Sequence, residues 1–249
     1  MSVLALFALL GIVQGLTEFL PVSSSGHLVI LQKLLGIGTD EVTLSVALHL
    51  GTTLALIVFF FKDIINVLRS ARLIKLIAIV TVITGIIGLS GKDFFESLFG
   101  LPRWVALFLC VTGILLIITQ KFKDNKRNSL NVKDALILGL VQGIAIIPGI
   151  SRSGITISAL LFRKVDRETS FRFSFLASIP AILGAALLKV RDFTFAGSGT
   201  LLNLTIGFLF SFIVGIFSLW ILGLVMRKAK LHYFGYYCIL LALVVLLVL

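Results

Sequence analysis

Charge is what this sequence has least of. Of its 249 residues only 13% are Asp, Glu, Lys or Arg, about half the share usual in a soluble globular domain. Apolar residues make up 59% and mean hydropathy is +1.15. That balance excludes an ordinary water-soluble fold and makes lipid the chain's solvent. Cysteine is nearly absent as well. Cys110 and Cys238 both lie in apolar runs and read as small buried or lipid-facing residues, which excludes a disulfide framework and a thiolate metal site. The start, Met1-Ser2-Val3, lacks the basic n-region of a signal peptide, so the first apolar segment is expected to stay in the mature protein.

What charge there is carries a pattern. Lys and Arg outnumber Asp and Glu by 22 to 11, a balance that in a soluble protein would raise nucleic acid as a partner. Here the basic residues sit in short runs between apolar stretches, as in cytoplasmic loops, and no nucleic-acid partner is expected. Six apolar runs approach the roughly 20 helical residues that a hydrocarbon core requires. They fall near Thr43–Phe61, Lys75–Leu89, Arg103–Thr119, Phe171–Leu188, Leu202–Met226 and Tyr233–Leu249. Two other segments break. Val3–Phe19 runs into Pro21 and Ser23-Ser24-Ser25-Gly26, leaving Leu28–Leu35; Ala135–Ile147 runs into Pro148-Gly149 and Ser151-Arg152-Ser153-Gly154, leaving Ile155–Phe162. Eight residues of helix cover about 12 Å, so both segments are expected to be re-entrant hairpins.

The two halves repeat. A shift of 128 places Gly11, Gln14, Gly15, Ser23, Ser25 and Gly26 on Gly139, Gln142, Gly143, Ser151, Ser153 and Gly154; a shift of 129 places Ser45, Lys62 and Asp63 on Ser174, Arg191 and Asp192. The expected architecture is therefore an all-α polytopic membrane protein, one integral domain over 1–249. Its repeats, 1–127 and 128–249, each hold one hairpin and three spans, which makes them inverted in topology. With the hairpins re-entrant, 16 basic residues fall on one face and 5 on the other. If the first arms crossed fully, the split would be nearly even. The positive-inside rule then puts both termini outside and lets the hairpin tips, entering from opposite faces, meet near mid-membrane.

Irregular backbone at membrane depth survives only inside protein or beside water, and ionisable residues there usually mark a functional path. Glu18, His27 and Arg152 lie at these tips. Gly26, Gly149 and Gly154 permit turns that expose N–H groups, and helix N-termini attract phosphate or carboxylate. Ser151, Ser153 and Thr156 add hydroxyls, and Arg152 adds a planar fork for phosphate oxygens. The first tip supplies nucleophile candidates in Ser23, Ser24 and Ser25, an acid or base in His27, and an orienting carboxylate in Glu18. Gln14 and Gln142 are candidate supporting residues, with interhelical packing the plainer reading of Gln142. Asp40, Glu41 and Asp93 read as solvated loop charges. His49 and His232 receive no role, and the sequon at Asn203 reads as chance.

These residues have a resemblance. Gln14-Gly-Leu-Thr-Glu18-Phe-Leu-Pro21-Val-Ser-Ser-Ser-Gly-His27 and Pro148-Gly-Ile-Ser-Arg152-Ser-Gly-Ile-Thr156 resemble the two signature motifs of the undecaprenyl-diphosphate phosphatases, the bacitracin-resistance family, and the likeness covers essentially the whole chain. The resemblance implies a plasma-membrane enzyme that hydrolyses undecaprenyl diphosphate to undecaprenyl phosphate and inorganic phosphate, recycling the carrier lipid for peptidoglycan. It implies catalytic roles for Glu18, Ser24, His27 and Arg152, and phosphate binding by Ser23, Ser25, Gly26, Ser151, Arg152, Ser153, Gly154 and Thr156. Ser24 is the expected nucleophile, with direct attack by water left open. A divalent cation, Mg²⁺ or Ca²⁺, is a candidate cofactor with Glu18 as its ligand; Gln14 stands where many relatives have glutamate, which weakens that cage. The pocket is expected to open to the outer face, and a homodimer is left open. The alternative from another class is a transporter or flippase of a phosphorylated isoprenoid lipid, since inverted repeats with broken helices suit that task.

Overall fold

A computed structural model of the chain describes residues 2–35, 42–122, 124–190 and 198–248; Asp40, Glu41, Arg191 and Asp192, named above, lie outside the described residues. The order is α1 (Val3–Phe19), α2 (Ser24–Leu35), α3 (Val42–Phe59), α4 (Phe61–Leu68), α5 (Ala71–Ser90), α6 (Lys92–Leu98), α7 (Pro102–Ile118), a 3-10 turn (Thr119–Phe122), α8 (Val132–Ile144), α9 (Arg152–Phe162), α10 (Arg167–Val190), α11 (Ser198–Arg227) and α12 (His232–Val248). Among the described residues there is no strand, only one bridge between Arg127 and Val165. Helices suit the composition because each satisfies its own backbone where water is absent.

By length and composition, α5, α7 with its 3-10 extension, α10 and α11 are long and apolar enough to cross a membrane. The expected run Thr43–Phe61 is not one straight helix. It stops at Phe59, and α3 reaches spanning length only together with α4, across a bend of 73° at Phe60. The next turn carries Lys62 and Asp63, and Asp63 accepts from Arg172 Nη1 at 2.5 Å; charge of this kind does not follow a span into hydrocarbon. The second arms also start earlier than their apolar runs suggest, at Ser24 and Arg152 instead of Leu28 and Ile155. The Ser/Gly motifs thus form the first helical turns. α12 has 17 residues, about 25 Å of helix at 1.5 Å per residue.

Packing pairs the elements across the chain: α1 lies along α11, α8 along α5, and α7 along α12. Two of these contacts need glycine. A Cβ on Gly15 would stand 2.8 Å from Val214 Cβ, and one on Gly143 would stand 2.6 Å from Ile87 Cδ1. Two smaller cores flank the molecule. Phe7, Leu10, Leu44 and Leu48 pack with Leu204 in one, and Ala135, Leu138, Phe173 and Ala177 with Leu76 and Val80 in the other. The largest core includes Phe19, Val22, Val105, Ile157 and Leu219, which come from both tips and the helices around them.

Below the end of α1 runs an aromatic column. Phe19 meets Phe175 edge-on at 5.7 Å, and Phe175 meets Phe60 and Phe171 at 5.9 and 5.3 Å. Phe60 and Phe171 also line a cavity of about 510 Å³ with Asp63, Arg172, Trp220 and Arg227. None of Glu18, Ser24, His27 or Arg152 lines it.

One polar clasp fixes the second hairpin. Asp134, wholly buried, accepts from Arg127 Nη1 and Nη2 at 2.7 and 2.9 Å, from Arg163 Nε at 3.0 Å and from the Asn131 N–H at 3.0 Å. Asn131 returns the favour by capping the Asp134 N–H, a reciprocal N-terminal box. Removing the carboxylate strands two guanidinium groups. Asp134→Ala is expected to cost about 3 kcal/mol, read as a lower thermal midpoint in detergent, with Asp134→Asn losing less.

Candidate active site

The two tips are built alike and lock together. At the first, Ser23 takes a left-handed backbone, φ 68°, rare for a residue with a side chain. Its hydroxyl repays the strain. Ser23 Oγ accepts the Gly26 N–H at 3.3 Å, capping α2, and the Gly149 N–H of the other tip at 3.2 Å. At the second, Gly149 has φ +98°, and a Cβ there would fall 2.3 Å from the Val105 carbonyl oxygen. Ser151 Oγ accepts the Gly154 N–H at 3.2 Å, capping α9. Thr112 of α7 donates to the Gly149 carbonyl and accepts the Ser151 N–H, both at 3.0 Å. The pairs Ser23/Ser25 and Ser151/Ser153 have the same hydroxyl separation, 3.3 Å.

Glu18 sits in the last turn of α1, facing the joint. One carboxylate oxygen is paired with Arg152 Nη2 from the second tip. The other accepts the Ser24 hydroxyl at 2.6 Å and the Gln14 amide at 3.1 Å. The same Gln14 nitrogen stands 3.0 Å from His49 Nδ1 on α3. Because that amide donates, His49 Nδ1 accepts, and its proton rests on Nε2. Arg152 Nη1 is buried and has no hydrogen-bond partner among the described residues. The Arg152 carbonyl accepts Thr156 Oγ1 at 2.6 Å, and Thr156 Oγ1 lies 2.6 Å from Ser174 Oγ of α10. His27, one turn into α2, has Nδ1 2.8 Å from the Ser23 carbonyl oxygen and Nε2 2.7 Å from the Tyr237 hydroxyl. A carboxylate this close to a serine hydroxyl can take its proton, and a guanidinium with a free N–H edge can take a phosphate oxygen.

The family described as "Bacitracin resistance protein BacA" matches residues 7–244. The chain belongs to the BacA family. A BacA-family relative from Halothermothrix orenii, named undecaprenyl-diphosphatase, is 42% identical over 237 residues, 92% of each chain. Relatives of the same name from Carboxydothermus hydrogenoformans and Alkaliphilus metalliredigens are 40% and 43% identical, covering 96% and 92% of this chain and 94% and 92% of their own.

Within this BacA-family site the structure brings Gln14, Glu18, Ser24 and Arg152 into one network, with His27 held at the edge of the first tip. Other expected members do different work. Gln142 bonds Thr84 Oγ1 at 3.2 Å between α8 and α5, which is packing. Ser23, Ser151, Ser153 and Thr156, expected to bind phosphate, spend their hydroxyls on the tips: Ser153 Oγ donates to the Leu20 carbonyl, and the others make the caps and bonds above. Gly26 and Gly154 give their N–H groups to those caps. First-turn N–H groups have no intrahelical acceptor, and in α2 and α9 the first of these belong to Ser24 and Arg152. His27 makes no hydrogen bond to Ser24 or Glu18.

The donor set does not fit a divalent cation held between Gln14 and Glu18. The Gln14 NH₂ points at the carboxylate, and Arg152 already neutralises it. Among the described residues no group of three or more His, Cys, Asp or Glu is placed to hold a metal. His49 and Tyr237 were not legible as site residues. For His49 the available signal was an ionisable side chain within an apolar span; Tyr237, at the start of an apolar helix, gave none. The joint itself can be tested. Ser23→Ala is expected to lose about 2 kcal/mol of stability, two hydrogen bonds to buried N–H groups, whereas Ser25→Ala stays within about 0.5 kcal/mol, both by thermal unfolding.

Proposed function

We propose that this chain hydrolyses undecaprenyl diphosphate to undecaprenyl phosphate and inorganic phosphate, returning the carrier lipid to cell-wall synthesis and so conferring bacitracin resistance. The observation that carries the reading is the bond from Ser24 Oγ to Glu18, 2.6 Å, on a carboxylate whose other oxygen faces Arg152. The terminal phosphate binds at the tips, on the free edge of Arg152 and the first-turn N–H groups. Ser24 Oγ attacks the terminal phosphorus as Glu18 takes its proton. The bond from phosphorus to the bridging oxygen breaks, and that oxygen leaves on undecaprenyl phosphate. Protonation makes Glu18 neutral, which releases Arg152 to the phosphoryl oxygens as charge builds there. Glu18 passes that proton to the departing undecaprenyl phosphate; the restored carboxylate then takes a proton from water as it attacks the phosphoserine and hands it to the leaving Ser24 Oγ, giving inorganic phosphate and free Ser24. A divalent cation, where the reaction uses one, belongs with the diphosphate oxygens and not with Gln14 and Glu18. A carrier of phosphorylated lipid would need Arg152 but not a serine on a carboxylate, which favours chemistry over transport.

In the membrane, the same reading has six spans, α3 with α4, α5, α7, α10, α11 and α12, and two re-entrant hairpins, α1–α2 and α8–α9. The inverted repeats are 1–127 and 128–249. Support comes from packing: the hairpin of each half lies against a span of the other, α1 on α11 and α8 on α5. The flanking cores use positions related by the shifts of 128 and 129 found in the sequence, Phe7 with Ala135 and Leu44 with Phe173 among them. Both termini and the mouth of the pocket face outward.

Purified protein is expected to release phosphate from undecaprenyl diphosphate. Arg152→Ala and Ser24→Ala should each lower kcat by about a hundredfold or more, and acid quenching should trap phosphate on Ser24. Wild-type release from the Ser24→Ala protein would remove Ser24 as nucleophile. For topology, a cysteine at Lys126 should react with an impermeant thiol reagent only from the cytoplasmic side, and one at Lys92 only from outside, in a background lacking Cys110 and Cys238.

A further inference from the structure

His27 is isolated from the Ser24–Glu18 pair, yet both its ring nitrogens are engaged. A carbonyl oxygen only accepts, so the contact of Nδ1 with the Ser23 carbonyl at 2.8 Å places the imidazole proton on Nδ1. Nε2 is then an acceptor, and the Tyr237 O–H donates to it at 2.7 Å. The two rings are stacked, 5.7 Å between centroids with planes 7° apart. The next residue of α12, Cys238, donates its S–H to the Pro21 carbonyl at 3.6 Å. Two consecutive residues of α12 therefore hold the first tip, one on each side of the strained Ser23.

What His27 holds is the peptide unit between Ser23 and Ser24. Its carbonyl end takes the imidazole N–H; its other end is the Ser24 N–H, a first-turn donor without an intrahelical acceptor. The orientation of this unit sets where Ser24 begins α2 and where its hydroxyl lies relative to Glu18. If the imidazole proton moved to Nε2, the Ser23 carbonyl would keep only the His27 backbone N–H, at 3.1 Å, and would face a nitrogen lone pair. The tyrosine hydroxyl reinforces the Nδ1–H state by donating to the unprotonated Nε2, so the ring is held by a donor contact at one nitrogen and an acceptor contact at the other.

We propose that Tyr237 is a positioning residue of the phosphatase reaction, acting through His27 on the Ser23–Ser24 peptide unit. The proposal rests on the reading of Ser24 as the reacting group. It gives His27 a purpose that its lack of contact with Ser24 otherwise denies it, and it makes the second half of the chain a contributor to the geometry of the first tip.

The test joins kinetics to a direct reading of the tautomer. Tyr237→Phe keeps the ring and removes only the hydroxyl. Its kcat on undecaprenyl diphosphate is expected to fall about tenfold, the scale of a small misplacement of reacting groups, with KM within about twofold and the thermal midpoint unchanged. In a His27→Ala background the same substitution should cause no further loss. The chain has three histidines, so ¹⁵N spectra of histidine-labelled protein can assign His27 by its absence from His27→Ala. Wild type should show a single Nδ1–H tautomer, and Tyr237→Phe a mixture. Unchanged kcat in Tyr237→Phe, full additivity with His27→Ala, or an Nε2–H tautomer in wild type would overturn the proposal. Wild-type protein that releases no phosphate would instead sink the phosphatase reading, while the spectra still decide the Tyr237–His27 pair.

Discussion

A backbone N–H left unpaired away from water costs several kcal/mol, and this chain ends four helices in its buried interior. The unpaired groups of one broken hairpin find their partners in the other. Ser23 is the joint: its hydroxyl caps its own helix and takes the Gly149 N–H of the opposite tip. Thr112 closes the second turn from α7, and Cys238 reaches the first from α12. The left-handed strain at Ser23 is tolerated because a residue without a hydroxyl there would leave two N–H groups stranded.

The ion pair between Glu18 and Arg152 follows from that joint. Taking both charges out of water is costly, and a buried pair seldom adds net stability over apolar packing. It holds because Ser24 and Gln14 supply further hydrogen bonds to the carboxylate. What it provides is preorganisation. Glu18 and Ser24 at one tip and Arg152 at the other come from segments up to 134 residues apart in sequence, yet no side chain has to travel for them to meet. A pair kept against its own cost is best understood by what happens when a proton crosses it, since neutral Glu18 no longer holds Arg152.

Much of this was legible before any coordinates. Hydropathy located the six long helices to within a few residues, because apolar length is a strong signal. The places where helix stopped were legible too, since Pro21, Pro148 and the Ser/Gly runs interrupt the pattern. That Glu18 and Arg152 would meet was legible from the expense of burying such groups, while Ser24 was singled out from Ser23 and Ser25 by the family resemblance alone. What hid was the division of labour among the serines. Ser23 and Ser24 are neighbours of one type, and only the backbone angle at Ser23 turns one hydroxyl to the opposite tip and leaves the other on Glu18. The partners of His49 and Tyr237 were hidden for a different reason: each depends on the crossing of distant helices, which composition does not specify, although His49 stood out as an ionisable residue in an apolar span. The bend at Phe60 lay in a run whose apolar count was correct and whose direction was not.

The aromatic column beneath α1 walls the site off on one side. Phe19, Phe175, Phe60 and Phe171 are all buried, and together they fill the space between Glu18 and the cavity at the far ends of α3 and α11. Water and small anions do not pass such a stack without displacing rings. On the reading proposed above, released phosphate therefore does not drain through that cavity, and product and substrate contend for one arginine.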